Sequence, residues 1–267
     1  LLIAVLVLVA GTAGADTLDY AGYSAVVTMA GSKPFSGEAT ARLMERARNL
    51  IRSAAYDRDY TVGDFLAVHD KQARRLGRMT LEYRRGDVRF TSDGGAEADY
   101  EFPLAGAVME VLIPVPGPKR LLGRVACPCC GREWPEGREA PEDLELVPYE
   151  SGDTPGYTGV LVDVRGLDFR PALFPRVVVE SGAEVCGPAF AAAAAMASDG
   201  LAGYYRTRND ALLGARVGSN PLVVRALEVE GRNRCDAVIS AADAARIHGS
   251  KLNLQNLARC RLGFLTD

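Results

Sequence analysis

Half of the six cysteines in the chain lie in one short segment, Cys127-Pro128-Cys129-Cys130-Gly131-Arg132-Glu133-Trp134-Pro135. Cys127 and Cys130 have the C-x-x-C spacing followed by glycine, a tight knuckle whose turned backbone aims two thiolates at one Zn²⁺ or iron. One knuckle supplies two ligands, or three if Cys129 turns in, so the candidate metal ligands are Cys127, Cys129 and Cys130. A structural zinc site takes four ligands and the chain has no second C-x-x-C. Cys186, Cys235, Cys260, His69 or His248 would have to complete the shell from far away in sequence. Two other chemistries fit the same thiols: a disulfide, which an exported protein favours, and a redox dithiol. A redox C-x-x-C opens a helix whose N-terminus lowers the thiol pKa, and Gly131 and Pro135 forbid such a helix here.

Asp163 and Arg165 stand two apart at the end of an apolar run, which puts both on one face of a strand. The aspartate has the chemistry of a general acid or base and the arginine that of a carboxylate clamp. The plainer reading is a strand-end turn held by an ion pair, and a carboxylate hydrolase would need a second acid that no spacing supplies. The chain has no G-x-S-x-G elbow, G-x-G-x-x-G loop, P-loop or H-E-x-x-H pair. His69 and His248 are the only histidines, and each reads as a solvated helix residue. The sequence therefore offers no catalytic residue set and no cofactor-binding motif beyond the thiols, and zinc is the bound group those thiols suggest beside the disulfide reading.

These residues must be positioned by the elements around them. Pro114, Pro116, Pro118, Pro128, Pro135, Pro141, Pro148 and Pro155 break the chain too often for a long helix or a central strand. The expected organisation is a signal peptide over 1–15, an N-terminal domain over 16–113, a Pro-rich arm with the cysteine knuckle over 114–156, and a C-terminal domain over 157–267. In the first domain Leu18 to Met29 reads as a strand. From Ser36, a plausible N-cap, the positions Leu43, Met44, Ala47, Leu50, Ile51 and Ala54 follow helical spacing, with arginines on the other side. A second helical stretch, Val62 to Met79, precedes two alternating runs around Ser92-Asp93-Gly94-Gly95, a hairpin signal.

The second domain reads as a strand from Tyr157 to Val164, a hairpin turning at Ser181-Gly182, an Ala-rich helix from Ala189 to Ala197, and a strand from Leu222 to Val229. Then come a strand from Asp236 to Ile239, a helix capped by Ser240 with Asp243, a short helix near Leu252 to Ala258, and a last strand from Cys260 to Leu265. The fold class expected is α+β, two small α/β units of strand-helix-hairpin type joined by the arm.

Leu1 to Ala10 is almost unbroken apolar sequence, and Gly11 to Ala15 adds the small residues of a signal-peptidase site. A helix of that length spans about 15 Å, half of a hydrocarbon core of roughly 30 Å, so no permanent transmembrane anchor is expected. The chain is expected in the periplasm or at the cell surface. Lys and Arg number 31 against 34 Asp and Glu, interspersed, giving a net charge of −3 and no basic stripe for nucleic acid. A hydrophobic content of 48% is ample for a packed core.

The strand, the helix through Ala41-Arg42-Leu43 to Leu50, and the hairpin resemble the domain shared by exported bacterial LPP-type small outer-membrane lipoproteins and the N-terminal module of the flagellar assembly protein FlgT. The likeness covers about the first hundred residues and implies a noncatalytic envelope component with envelope proteins as partners. No lipobox cysteine is present, a departure from the lipoproteins. The C-terminal half resembles uncharacterised exported envelope proteins through Tyr157-Thr158-Gly159, Asp163-Val164-Arg165-Gly166-Leu167, and Arg216-Val217-Gly218-Ser219-Asn220-Pro221. The function expected is a protein-binding or assembly factor of the cell envelope, with flagellar or outer-membrane association implied by the resemblance. The alternative is a zinc-binding or thiol protein centred on Cys127 and Cys130.

Overall fold

The computed structural model describes residues 15–31, 37–92, 94–141, 143–150 and 156–267. The apolar leader and the Pro34-Phe35-Ser36 entry to the first helix lie outside them. The run read as one strand from Leu18 is a hairpin, β1 (Thr17–Asp19) and β2 (Ser24–Gly31) pairing antiparallel. Asp19 reverses the chain by accepting the N–H groups of Ala21 and Gly22, each at 3.0 Å, an Asx turn that competes with strand extension. Helix α1 (Gly37–Ser53) buries Leu43, Ala47 and Ile51, the stripe its spacing requires. The second helical stretch breaks at His69 into α2 (Val62–Val68) and α3 (Asp70–Arg78). Short edge strands β3 (Arg84–Arg85) and β4 (Arg89–Phe90) pair with β5 (Ala96–Pro103), which pairs along its whole length with β2. Ala98, Tyr100 and Phe102 alternate into the core beneath α1, and α4 (Ala107–Leu112) closes the unit.

Among its described residues the arm carries β6 (Val125–Ala126) and β7 (Val147–Pro148) as its only strands. The C-terminal unit runs β8 (Val160–Asp163), β9 (Val177–Val179), β10 (Glu184–Cys186), α5 (Ala193–Asp199), β11 (Gly203–Tyr205) and α6 (Arg208–Leu213). It continues through β12 (Leu222–Arg225), β13 (Glu228–Glu230), β14 (Asp236–Ile239), α7 (Ala241–Ile247), α8 (Lys251–Ala258) and β15 (Leu262–Leu265). One sheet, β11-β15-β8-β12, is all parallel, and the other, β10-β9-β14-β13, is mixed. Their inner faces share one core with α7 and α8, so the strands are continuous apolar runs instead of alternating ones. The stretch expected as one strand from Leu222 to Val229 is split between the sheets: Ala226 N–H donates to Asp163, and the next residue, Leu227, donates to Val238. The class is α+β.

The N- and C-terminal units join at a seam of main-chain bonds. Leu173 and Phe174 donate to the carbonyls of Ala55 and Tyr56 at 2.9 and 2.8 Å, and Asn233 donates to Arg58 at 2.7 Å. Asn233 Nδ2 adds bonds of 2.8 Å to the carbonyls of Asp57 and Tyr60. Phe174 meets the Tyr56 ring edge-on, and Leu173, Phe174, Met196 and Leu201 lie in the same buried cluster as α1 and β5. Tyr23 enters the C-terminal unit: its hydroxyl donates to Ala202 O at 2.9 Å and accepts Ala202 N–H at 3.1 Å. Gly200, at φ +71°, lies flat against that ring, and a Cβ there would stand 2.1 Å from it.

Gly200→Ala tests the seam. Positive φ alone costs an alanine roughly 1–2 kcal/mol, the amount expected of Gly166→Ala, where φ is +80° and no atom lies within 4 Å. In urea unfolding, Gly200→Ala is expected to lower the midpoint well beyond Gly166→Ala, with probes in both units shifting together. Equal shifts for the two variants would contradict the seam.

Candidate thiol centre on the arm

The arm is fastened at both ends. At its start Leu122 N–H donates to His248 Nδ1 at 2.9 Å, while His248 Nε2 lies 2.8 Å from Val185 O. Nε2 therefore carries the proton and Nδ1 is the acceptor, a neutral imidazole that bridges the arm to the strand layer. His248 is 1% exposed, so the expectation of a solvated helix residue is corrected: the C-terminal end of α7 packs it beneath the arm. Next to it Gly123, at φ +105°, crosses α7 so closely that a Cβ would meet Ala245 Cβ at 3.1 Å. At the far end Glu150 accepts Lys251 N–H at 2.7 Å, in the first turn of α8.

Between these fastenings the arm doubles back as a stem. Strand β6 pairs antiparallel with β7, Tyr149 N–H donates to Arg124 O at 3.0 Å, and Trp134 N–H donates to Val125 O at 2.7 Å. Arg124 stacks over the Tyr149 ring and pairs with Glu133, and Trp134 Nε1 donates to Arg138 O at 2.9 Å. The stem and helices α7 and α8 enclose an open cleft of about 1880 Å³, bordered by Arg124, Trp134, Leu144, Ala245 and Gln255 but by no cysteine.

The knuckle is the loop above this stem. Cys127 N–H donates to Arg132 O and Gly131 N–H donates to Cys127 O, both at 2.9 Å, and Gly131 takes φ +69° as the tight turn requires. No helix follows it, as Gly131 and Pro135 dictate. The N–H groups of Cys130 and Cys129 hold the Cys127 thiol below the ordinary thiol value, the effect that favours a thiolate. Cys129 and Cys130 are exposed and Cys127 is half-buried. Cys186, Cys235 and Cys260 are buried in the body, where burial pushes their thiols up, Cys260 to about 12. All six are free thiols.

Among the described residues, no three His, Cys, Asp or Glu side chains are grouped so as to hold a metal ion. Cys127, Cys129 and Cys130 are neighbours on one turn. Of the two histidines expected to complete a shell, His69 has Nδ1 2.7 Å from Phe65 O and its ring stacked on Phe65, and His248 has both nitrogens hydrogen-bonded. Arg165 grips Asp163 with two bonds of 2.8 and 2.7 Å, which holds the carboxyl below its ordinary range and closes the strand-end turn. The other quoted segments build architecture. Thr158 Oγ1 donates to Val217 O and accepts Asn220 N–H, and Gly159 passes within 2.7 Å, at its missing Cβ, of the Arg261 and Val217 carbonyls. His248 was the functional-looking residue hidden from sequence reasoning, because a single histidine after a helix carries no spacing signal.

Residues 159–267 match the family described as the second domain of Treponema pallidum Tp0624. No curated protein matches the chain. The family match covers β8 to β15, so the arm and the N-terminal unit lie outside it. Among the described residues no helix is long and apolar enough to cross a membrane.

Two measurements follow from the arm. Burial pushes the His248 imidazole down to about 4, with the Lys119 charge acting in the same sense. The unfolded chain takes up this proton first, so the contribution is full above about 6.5 and is lost as pH falls toward 4, about 3 kcal/mol in all. Urea stability of wild type should therefore drop more between pH 7 and pH 4.5 than that of His248→Gln; parallel curves would contradict the bridge. Iodoacetamide at neutral pH should modify Cys127, Cys129 and Cys130 in the folded protein and all six cysteines only in urea. Native labelling of Cys186, Cys235 or Cys260 would contradict their burial.

Proposed function

We propose that the chain is a noncatalytic cell-envelope protein, exported to the periplasm or cell surface, that works by binding or assembling with other envelope proteins. The observation that carries this reading is the arm: a fastened stem that carries three thiols, two exposed and one half-buried, on a body whose own cysteines are buried. A loop that needed only to connect the two units would not require a stem or a knuckle with its amides turned onto one sulfur.

Other observations agree. The quoted motif segments are occupied in holding the C-terminal unit together, and Asp163 is spent on Arg165, so neither offers a reacting group. The likeness of the first hundred residues to LPP-type lipoproteins and to the FlgT N-terminal module supports an envelope setting, with flagellar assembly as the particular association. The match of the C-terminal unit to the second domain of Tp0624 supports a building block used within larger chains. The apolar leader supports export.

Deletion of the gene is expected to impair motility or raise envelope stress, and a chromosomal copy carrying Ser at 127, 129 and 130 is expected to reproduce the defect while accumulating to the normal level. Wild-type motility and wild-type envelope stress after deletion would overturn the reading.

A further inference from the structure

We infer that the knuckle is half of a zinc site, and that a second copy of this chain completes it, Cys127 and Cys130 of each copy giving one Zn²⁺ four thiolates. The inference rests on the reading of the arm as an assembly device and names what it assembles with.

The knuckle has the form that presents two sulfurs to a metal: a C-x-x-C turn closed by Gly131 N–H to Cys127 O, with the glycine in its left-handed conformation. Zinc in a structural site is tetrahedral and takes four ligands. Among the described residues no further cysteine or histidine stands ready to give the other two ligands to the same ion. Its remaining cysteines, Cys186, Cys235 and Cys260, are 1%, 0% and 1% exposed within the body. His248 has both nitrogens hydrogen-bonded, and His69 is turned onto Phe65. No grouping of three suitable side chains exists among the described residues. The knuckle is thus an incomplete site held in the open.

A second knuckle supplies what is missing. Two copies related by a two-fold axis bring the same patch together, so the contact is self-complementary and closes at two chains. Pro128, Cys129, Cys130 and Arg132 are all exposed, which leaves room for the approach. Charge also favours the site. A zinc tetrathiolate carries two negative charges, and each copy brings exposed arginines in the same loop, Arg132 two residues beyond Cys130 and Arg138. Arg124 is already neutralised by Glu133. Cys129 sits between the two ligands in sequence and is left outside the shell.

The test is native mass spectrometry and light scattering on the full reduced chain, with Zn²⁺ as the probe. The expected species is two chains with one zinc, converted to monomer by EDTA. Cys127→Ser and Cys130→Ser should each lose both the zinc and the dimer while keeping the wild-type urea midpoint; Cys129→Ser should keep both. Co²⁺ in place of zinc should give the absorption of a tetrahedral tetrathiolate at one metal per two chains. One zinc per single chain, no zinc uptake, or a dimer that survives EDTA would overturn the inference. The two readings fail separately: if the triple Ser strain loses function while purified protein binds no zinc, the assembly role stands and the zinc dimer falls, and if deletion leaves motility and envelope stress at wild type while the zinc dimer forms, the envelope reading falls and the dimer stands.

Discussion

The structure depends on buried peptide groups that neither unit satisfies alone. The carbonyls of Ala55 and Tyr56 and the amides of Leu173 and Phe174 belong to loops, and loops removed from water must find partners for each N–H and C=O. Here each loop is the other's partner, as adjacent strands are in a sheet. Tyr23 repeats the arrangement on the other side, its hydroxyl standing as both acceptor and donor for the two polar groups of Ala202. Pulling the units apart would leave these groups buried without bonds or would expose Phe174 and Leu201, which are 1% accessible. The two units that proline-rich sequence separates along the chain therefore make one body in space.

That body fixes what the arm does. With the units joined directly to each other, the arm has no connecting duty beyond covering the distance, and the bonds among its described residues form a stem. His248 and Gly123 set its root against α7, and Glu150 sets its return against α8. A thiol turn on a fastened stem has a defined position relative to the body, which a thiol turn on a free linker does not. The cysteines divide accordingly: three whose burial suppresses the thiolate, three on a turn whose amides favour it at Cys127.

What could be read from the sequence was what is encoded locally. Leu43, Ala47 and Ile51 announce the buried face of α1, Ser181-Gly182 announces the hairpin between β9 and β10, and Ser240 with Asp243 announces the start of α7, where Asp243 N–H meets Ser240 Oγ at 3.1 Å. The knuckle is legible for the same reason, since its two thiols, its glycine and the helix-breaking proline lie within one turn and its flank. Asp19 hid the first hairpin because an aspartate in an apolar run is a weak mark against strand continuity. The split at Ala226 and Leu227 was invisible because either residue suits a strand, and only the competing carbonyls of Asp163 and Val238 decide which sheet each joins. The seam and His248 could not be read at all: their partners are more than sixty residues away and are main-chain atoms, which leave no trace in residue type.

The central claim is that the two units form one body through the seam, and native-state hydrogen exchange at the amides of Leu173, Phe174 and Ala202 tests it most directly. These amides have no partner within their own unit's strands or helices, so only the seam protects them. The account predicts that they exchange as slowly as the strand amides of β2 and β8, through opening of the whole molecule. Exchange at the rate of exposed loops, with β2 and β8 still protected, would show two independent units and contradict it.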